Sequence, residues 1–159
     1  MSQANDENPL LERLTTPFEV PPFARIEPDH FRPAFADALT AHAAEIVAIA
    51  GQSAPPSFEN TIAALERSGR TLARVSSVFY VLAGADTNDT LQAIEREHAP
   101  MLAAHWDRVH MNEVLFRRIA ALHERVGELG LTAEQARVLE RYHVTFRRAG
   151  AALDAKAKQ

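Results

Sequence analysis

The chain has 159 residues, no cysteine, and a net charge of −4 from 17 basic and 21 acidic side chains. That balance lacks the cationic footprint a nucleic-acid surface needs, and the missing cysteine removes disulfides, thiolate catalysis and cysteine-based zinc sites. With 47 % apolar and 24 % charged residues, the composition is that of an ordinary globular domain large enough to build its own core.

The first residues, MSQANDEN, are polar and acidic, without the basic and apolar stretches of a signal peptide. No window approaches 18 apolar residues, so no membrane span and no membrane partner are expected. A cytoplasmic location fits the cysteine-free composition.

Six of the nine prolines fall between Asn8 and Pro33. Proline fixes φ and removes a backbone donor, so Pro17, Pro21 and Pro22 keep this stretch out of helix and central strand. Yet Leu10, Leu11, Leu14, Phe18, Val20, Phe23 and Ile26 are interspersed. Such a segment is ordered only where its apolar side chains lie on a larger surface. Residues 1–27 are therefore read as an extended strap on a helical body, with Phe18 and Phe23 among its anchors.

Residues 28–159 read as helices. Pro28 suits a first-turn position, and Phe31, Phe35, Leu39, Ala43, Ile46 and Ile49–Ala50 recur at helical spacing over about 20 residues. Gly51 and Pro55–Pro56 end that helix. Ser57 is a good N-cap for a second, with Glu59 in its first turn. Its apolar face is Phe58, Ile62, Leu65, Leu72, Val75, Val78–Phe79 and Leu82. Gly69 interrupts this face at about 1 kcal/mol relative to Ala, which signals close packing. Gly84–Asp89 is a turn, and Asn88 or Thr87 caps a third helix carrying Leu91, Ile94, Met101–Leu102, His105 and Val109. Pro100 should kink it. Asn112 caps a fourth helix with Leu115, Ile119, Leu122 and Val126, ended by Gly127 or Gly130. Thr132–Gln135 is a capping-box pattern. It opens a fifth helix on Val138–Leu139, Tyr142, Phe146, Ala149 and Leu153, which continues without a C-cap or stop. The expected fold is all-α: about five antiparallel amphipathic helices behind the strap. No strand, repeat or low-complexity tract is visible.

None of the motifs makes a catalytic constellation. Seven histidines are present, at 30, 42, 98, 105, 110, 123 and 143. A helical zinc site wants two at i, i+4, and no pair has that spacing. His123-Glu124-Arg125-Val126-Gly127 begins like His-Glu-x-x-His but puts glycine where the second ligand belongs. His98 and His105 lie two turns apart with Glu95 before them, and read as half-buried, hydrogen-bonded histidines on a packing face. Tyr80, Trp106 and Tyr142 read as core or interface aromatics. Ser76–Ser77 lack a nucleophile elbow, and Gly84-Ala85-Asp86 matches no phosphate loop. Arg117–Arg118 and Arg147–Arg148 read as solvated helix faces. No residue of the chain is expected to be catalytic, cofactor-binding or metal-binding.

The ordered blocks do carry a resemblance. NPLL with TPFEVPPFARIEPDHFRPAF, then PPSFENTIAALERSGRTLARV, VFYVLAGADTNDTLQAIEREHAPMLAAHWDRVHMNEVLF and RVLERYHVTFRRAGAALD resemble the start of bacterial oligopeptidase A and peptidyl-dipeptidase Dcp. These are zinc metallopeptidases related to thimet oligopeptidase. The resemblance implies a largely helical protein split by a channel that admits oligopeptides. It implies zinc on a His-Glu-x-x-His helix in a C-terminal catalytic half, where a glutamate-assisted, zinc-activated water attacks the peptide carbonyl. This chain would be the N-terminal wall of that channel. It would carry no zinc and no activity of its own, and would stop inside a helix, with exposed apolar faces open to self-association. A free-standing helical interaction module is the competing reading.

Overall fold

The computed structural model describes residues 8–151. These form helices α1 (Phe31–Ala50), α2 (Ala64–Arg67), α3 (Arg70–Ala85), α4 (Asp89–His110), α5 (Glu113–His123) and α6 (Ala133–Arg148). Five of them exceed ten residues, and no strand occurs among the described residues, so the protein is all-α. By packing, the chain divides into two compact units. The first takes residues 1–42 and 69–103, the second 43–68 and 104–159, so α1 and α4 contribute to both. The described part of the arm falls in the first unit.

The first unit is built on the core Leu10, Phe31, Phe35, Ala38, Leu72, Val75, Val78, Phe79, Leu91 and Ile94. Its start is the arm. Leu10 is 2 % exposed. Asn8, also buried, turns the chain there: its Oδ1 accepts from Leu10 N (3.0 Å) and its Nδ2 donates to His30 O (2.9 Å). Arg74 Nη2 holds Leu10 O (2.8 Å), and Leu11 and Ile26 pack on the core. Glu12 and Arg25 close the arm with a two-pronged ion pair of 2.7 and 3.0 Å.

The strap is thus anchored at its ends, not by its phenylalanines. Phe18 is 98 % exposed and Phe23 is 42 % exposed, which corrects their expected role. Between the anchors the prolines impose short 3-10 turns, Pro17–Glu19, Phe23–Arg25 and Pro28–His30, in place of a fully extended run. Pro17 does so with Phe18 and Glu19 in the left-handed region, which turns the Phe18 ring outward.

By length and composition Pro28–Ala50 suffices to cross a membrane, contrary to expectation. Alanine raises its hydropathy without making an apolar run. Phe31, Ala34, Phe35 and Ala38 fill the first core, and Arg32 pairs with Glu97 (2.7 Å), so it acts here as a core helix.

The second expected helix is two helices. Ser57 caps as expected, accepting from Asn60 N (3.1 Å), while Asn60 Oδ1 accepts from Ser57 N (2.9 Å). A π-helical turn, Phe58–Ala63, leads into α2, and the chain breaks at Ser68–Gly69. Gly69 has φ 67°, and a Cβ there would sit 3.1 Å from the His42 ring. The expected close packing is real, but glycine serves a left-handed turn. Asn88 caps α4, accepting from Leu91 N (3.0 Å), and α4 continues through Pro100.

The second unit packs Ile46, Ile49, Ile62, Leu65, Val109, Leu115, Ile119, Leu122, Leu139 and Phe146 together. Asn112 caps α5, accepting from Leu115 N (3.0 Å). That helix stops at His123, earlier than expected, and Val126 lies in a separate 3-10 turn. Thr132 and Gln135 form the reciprocal cap of α6 (3.0 and 3.2 Å). The unbroken last helix is also corrected. Gly150, at φ 91°, closes α6, with Gly150 N bonded to Arg147 O and Ala151 N to Phe146 O (3.2 and 3.0 Å). This glycine cap satisfies the last carbonyls and buries Ala151 in the core with Phe146. The expected ending inside a helix, and Leu153 with it, lies outside the described residues.

Candidate functional site

The second unit offers two polar clusters. A cleft of about 210 Å³ is lined by Glu66, His110, Val138, Arg141, Tyr142 and Thr145. It exists because the α2 break leaves Glu66 facing α6, where Val138, Arg141, Tyr142 and Thr145 share one helical face. Tyr142, expected as a core or interface aromatic, lines this cleft. Burial, and then its hydrogen bond to Glu66, push the phenol well above its ordinary pKa, so it stays a neutral donor. Burial lowers His110 against the opposing charge of Asp107. His110 stacks on Trp106 and meets Phe146 edge-on, at ring centres 5.8 and 5.5 Å apart. The cleft could hold a small polar group, but it pairs no nucleophile with a base.

Along α5 and α6 the rings of Phe116, His143 and His123 form a stack. His143 lies 5.7 Å from Phe116 and 3.9 Å from His123, tilted by 18° and 9°. His123 Nε2 meets Glu140 Oε2 at 2.8 Å. That contact holds the Glu140 carboxyl below its usual range. Burial, then the neighbouring His123 and Arg147, depress His143, against Glu140 and Glu124.

Two histidines and a glutamate invite a metal reading, and the geometry denies it. A metal bound to imidazole lies near the ring plane. Two stacked rings 9° from parallel share no such point. Among the described residues no group of three or more His, Asp or Glu side chains can hold a metal ion. The zinc implied by resemblance does not fit this chain's described residues.

The stack makes stability depend on pH. A depressed His143 binds fewer protons in the folded state than in the unfolded one, so stability falls as pH drops through the ordinary histidine range. His110 acts in the same direction. We expect Tm to fall between pH 7.5 and 5, and to fall less steeply in His143→Phe, which keeps a ring against Phe116. An identical slope in the variant would remove His143 from this account.

The other expected positions separate. His98 and His105 are buried on α4, as packing histidines, and more deeply than half. His98 Nδ1 lies 3.0 Å from Ile94 O, with its ring against Phe35 (4.7 Å). Tyr80 and Trp106 are nearly half exposed. Arg117, Arg147 and Arg148 are solvated, but Arg118 is buried, which corrects that reading. It donates to Gln52 O, Ala54 O and Asn60 Oδ1 at 3.0, 3.1 and 2.9 Å. Its position one residue before Ile119, on the apolar side of α5, is the signal that marks it.

No family model matches the chain. It is 40 % identical over 146 residues to a dipeptidyl carboxypeptidase of Salmonella typhimurium, covering 92 % of the chain and 22 % of that protein. It is 42 % identical over 146 residues to the dipeptidyl carboxypeptidase of Escherichia coli, again over 92 % of the chain and 21 % of the relative. Oligopeptidase A of Escherichia coli is 27 % identical over 152 residues, 96 % of the chain and 22 % of the relative. The chain thus spans about a fifth of the length of the curated relatives it matches. By sequence, then, the chain is similar over nearly its whole length to about a fifth of these dipeptidyl carboxypeptidases and, more distantly, to about a fifth of oligopeptidase A.

Proposed function

We propose that this chain is the N-terminal helical part of a cytoplasmic, zinc-dependent peptidase, forming one wall of a channel for short peptides. Its partners are then the C-terminal catalytic half of the same protein and the oligopeptide substrate, with no role for nucleic acid or membrane. Zinc and the groups that activate water belong to that remainder, and the 159-residue chain alone is inactive. The observation that carries this reading is identity of 40–42 % over 92 % of the chain to a fifth of two dipeptidyl carboxypeptidases.

The first test is the reading frame beyond codon 159. A frame that reaches His-Glu-x-x-His supports the peptidase part, whereas an immediate stop favours a free-standing interaction module. The second is enzymatic. The full-length product should release dipeptides from a short peptide in a chelator-sensitive way, and the purified 159-residue chain should not. Chelator-sensitive cleavage by the short chain would overturn the assignment.

A further inference from the structure

Three arginines of the first unit meet in one cleft with a single carboxylate among them. The cleft, of about 360 Å³, opens between the arm and α3. Arg13 and Glu19 line it from the arm, and Arg70, Thr71, Arg74 and Ser77 from α3. Arg70, Arg74 and Ser77 stand at i, i+4 and i+7, so one helical face carries them. Arg13 is delivered by the arm, whose anchor Leu10 is buried and whose Leu10 carbonyl is held by Arg74 Nη2 (2.8 Å). Glu19 reaches the wall from a left-handed backbone, φ 54°, next to Phe18 at φ 58°.

Few arginines among the described residues pair with a carboxylate, and these three do not. Arg25, Arg32 and Arg67 each pair with a glutamate at 2.6–2.7 Å. Among the described residues no carboxylate pairs with Arg13, Arg70 or Arg74. The Nε of Arg74 is buried without a hydrogen-bond partner. Three like charges lining one cleft repel one another, and an anion seated among them would relieve that repulsion.

We propose that this cleft binds a small ligand through a phosphate or carboxylate group, gripped by Arg13 from the arm and by Arg70 and Arg74 from α3. Guanidinium forks match the oxygen pairs of either group. The Thr71 and Ser77 hydroxyls supply neutral donors, and Glu19 disfavours ligands that place further negative charge at its end. A bound anion ties the arm to α3. The site lies wholly within the first unit and is independent of the peptidase reading.

The test is calorimetric titration of the 159-residue chain with inorganic phosphate and, separately, with N-acetylglutamate, at constant ionic strength. We expect one-to-one, saturable binding by at least one probe, and the tighter of the two identifies the chemical source. The double variant Arg13→Gln/Arg70→Gln should raise Kd by about tenfold or more, the loss expected for charge-assisted hydrogen bonds. Neither side chain makes an ion pair among the described residues, so helicity should be unchanged by circular dichroism. Bound ligand should also slow tryptic cleavage after Arg13. Absence of saturable binding by both probes, or an unchanged Kd in the double variant, would overturn the proposal.

Discussion

Arg118→Ala should lower the stability of the chain by about 2–4 kcal/mol, the scale of losing hydrogen bonds from a charged donor to partly buried acceptors. Arg118 is 7 % exposed, yet its guanidinium serves three acceptors on one loop. Gln52 O and Ala54 O lie in the link that leaves α1. Asn60 Oδ1 belongs to the Ser57 cap that starts the next helical segment. Removing the guanidinium strands two carbonyls and weakens the cap, and each charge-assisted bond contributes about 1.5–3 kcal/mol. The change also leaves a void beside Leu115 and Ile119, both fully buried. Urea unfolding should show a lower midpoint, with Tm down by about 10 °C. Arg118→Lys should recover part of the loss, because one ammonium cannot span acceptors that a planar fork spreads across. A loss below about 1 kcal/mol in Arg118→Ala would mean that water replaces the guanidinium at no cost.

Capping was readable because it is local. Ser57, Asn88, Asn112 and Thr132 each accept a backbone bond from three residues on, and nothing distant decides it. The breaks were less legible. Leu65 and Leu72 are seven residues apart, which is in phase for one helix, so periodicity runs through Gly69 undisturbed. What stops the helix there is a left-handed backbone packed on His42, a contact from 27 positions away. Gly150 hides for the same reason, since Ala149 and Leu153 keep the phase while the glycine supplies the stop. The arm shows the opposite failure. Phe18 looks like an anchor by composition, but Pro17 and two left-handed residues aim it outward. Anchoring passes to Asn8 and Leu10, whose partners, His30 and Arg74, lie far along the sequence.

The polar clusters were legible only in part. Tyr142 sits at an apolar position of α6, and only the α2 break puts Glu66 opposite it. His123 and His143 are twenty residues apart and become neighbours through the pairing of α5 with α6. The three arginines of the anion cleft come from two segments more than fifty residues apart, so no local motif could mark them. The resemblance to these peptidases was legible because it rests on many short blocks in order rather than on one site.

Phe35→Ala should match the Arg118 effect by a different route. Phe35 is fully buried in the first unit, and its ring meets three others. Phe31 lies 6.5 Å away, Phe79 is edge-on at 5.5 Å, and the His98 ring sits at 4.7 Å. Truncation removes a large apolar surface and leaves a cavity that helical walls cannot close, which costs about 3–5 kcal/mol. Phe35→Leu should cost less, because it keeps most of the volume while losing the ring contacts. The edge-on share is separable by a double-mutant cycle with Phe79→Leu. A coupling of about 0.5–1.5 kcal/mol is expected, the range for an aromatic pair beyond its buried area. Additive effects within error would mean that Phe35 and Phe79 act only as volume. A Phe35→Ala loss under about 2 kcal/mol would mean that the arm, through Leu10 and Leu11, moves in to fill the cavity. Faster tryptic cleavage after Arg13 and Arg25 would then accompany the variant, because those anchors would have left their native seats.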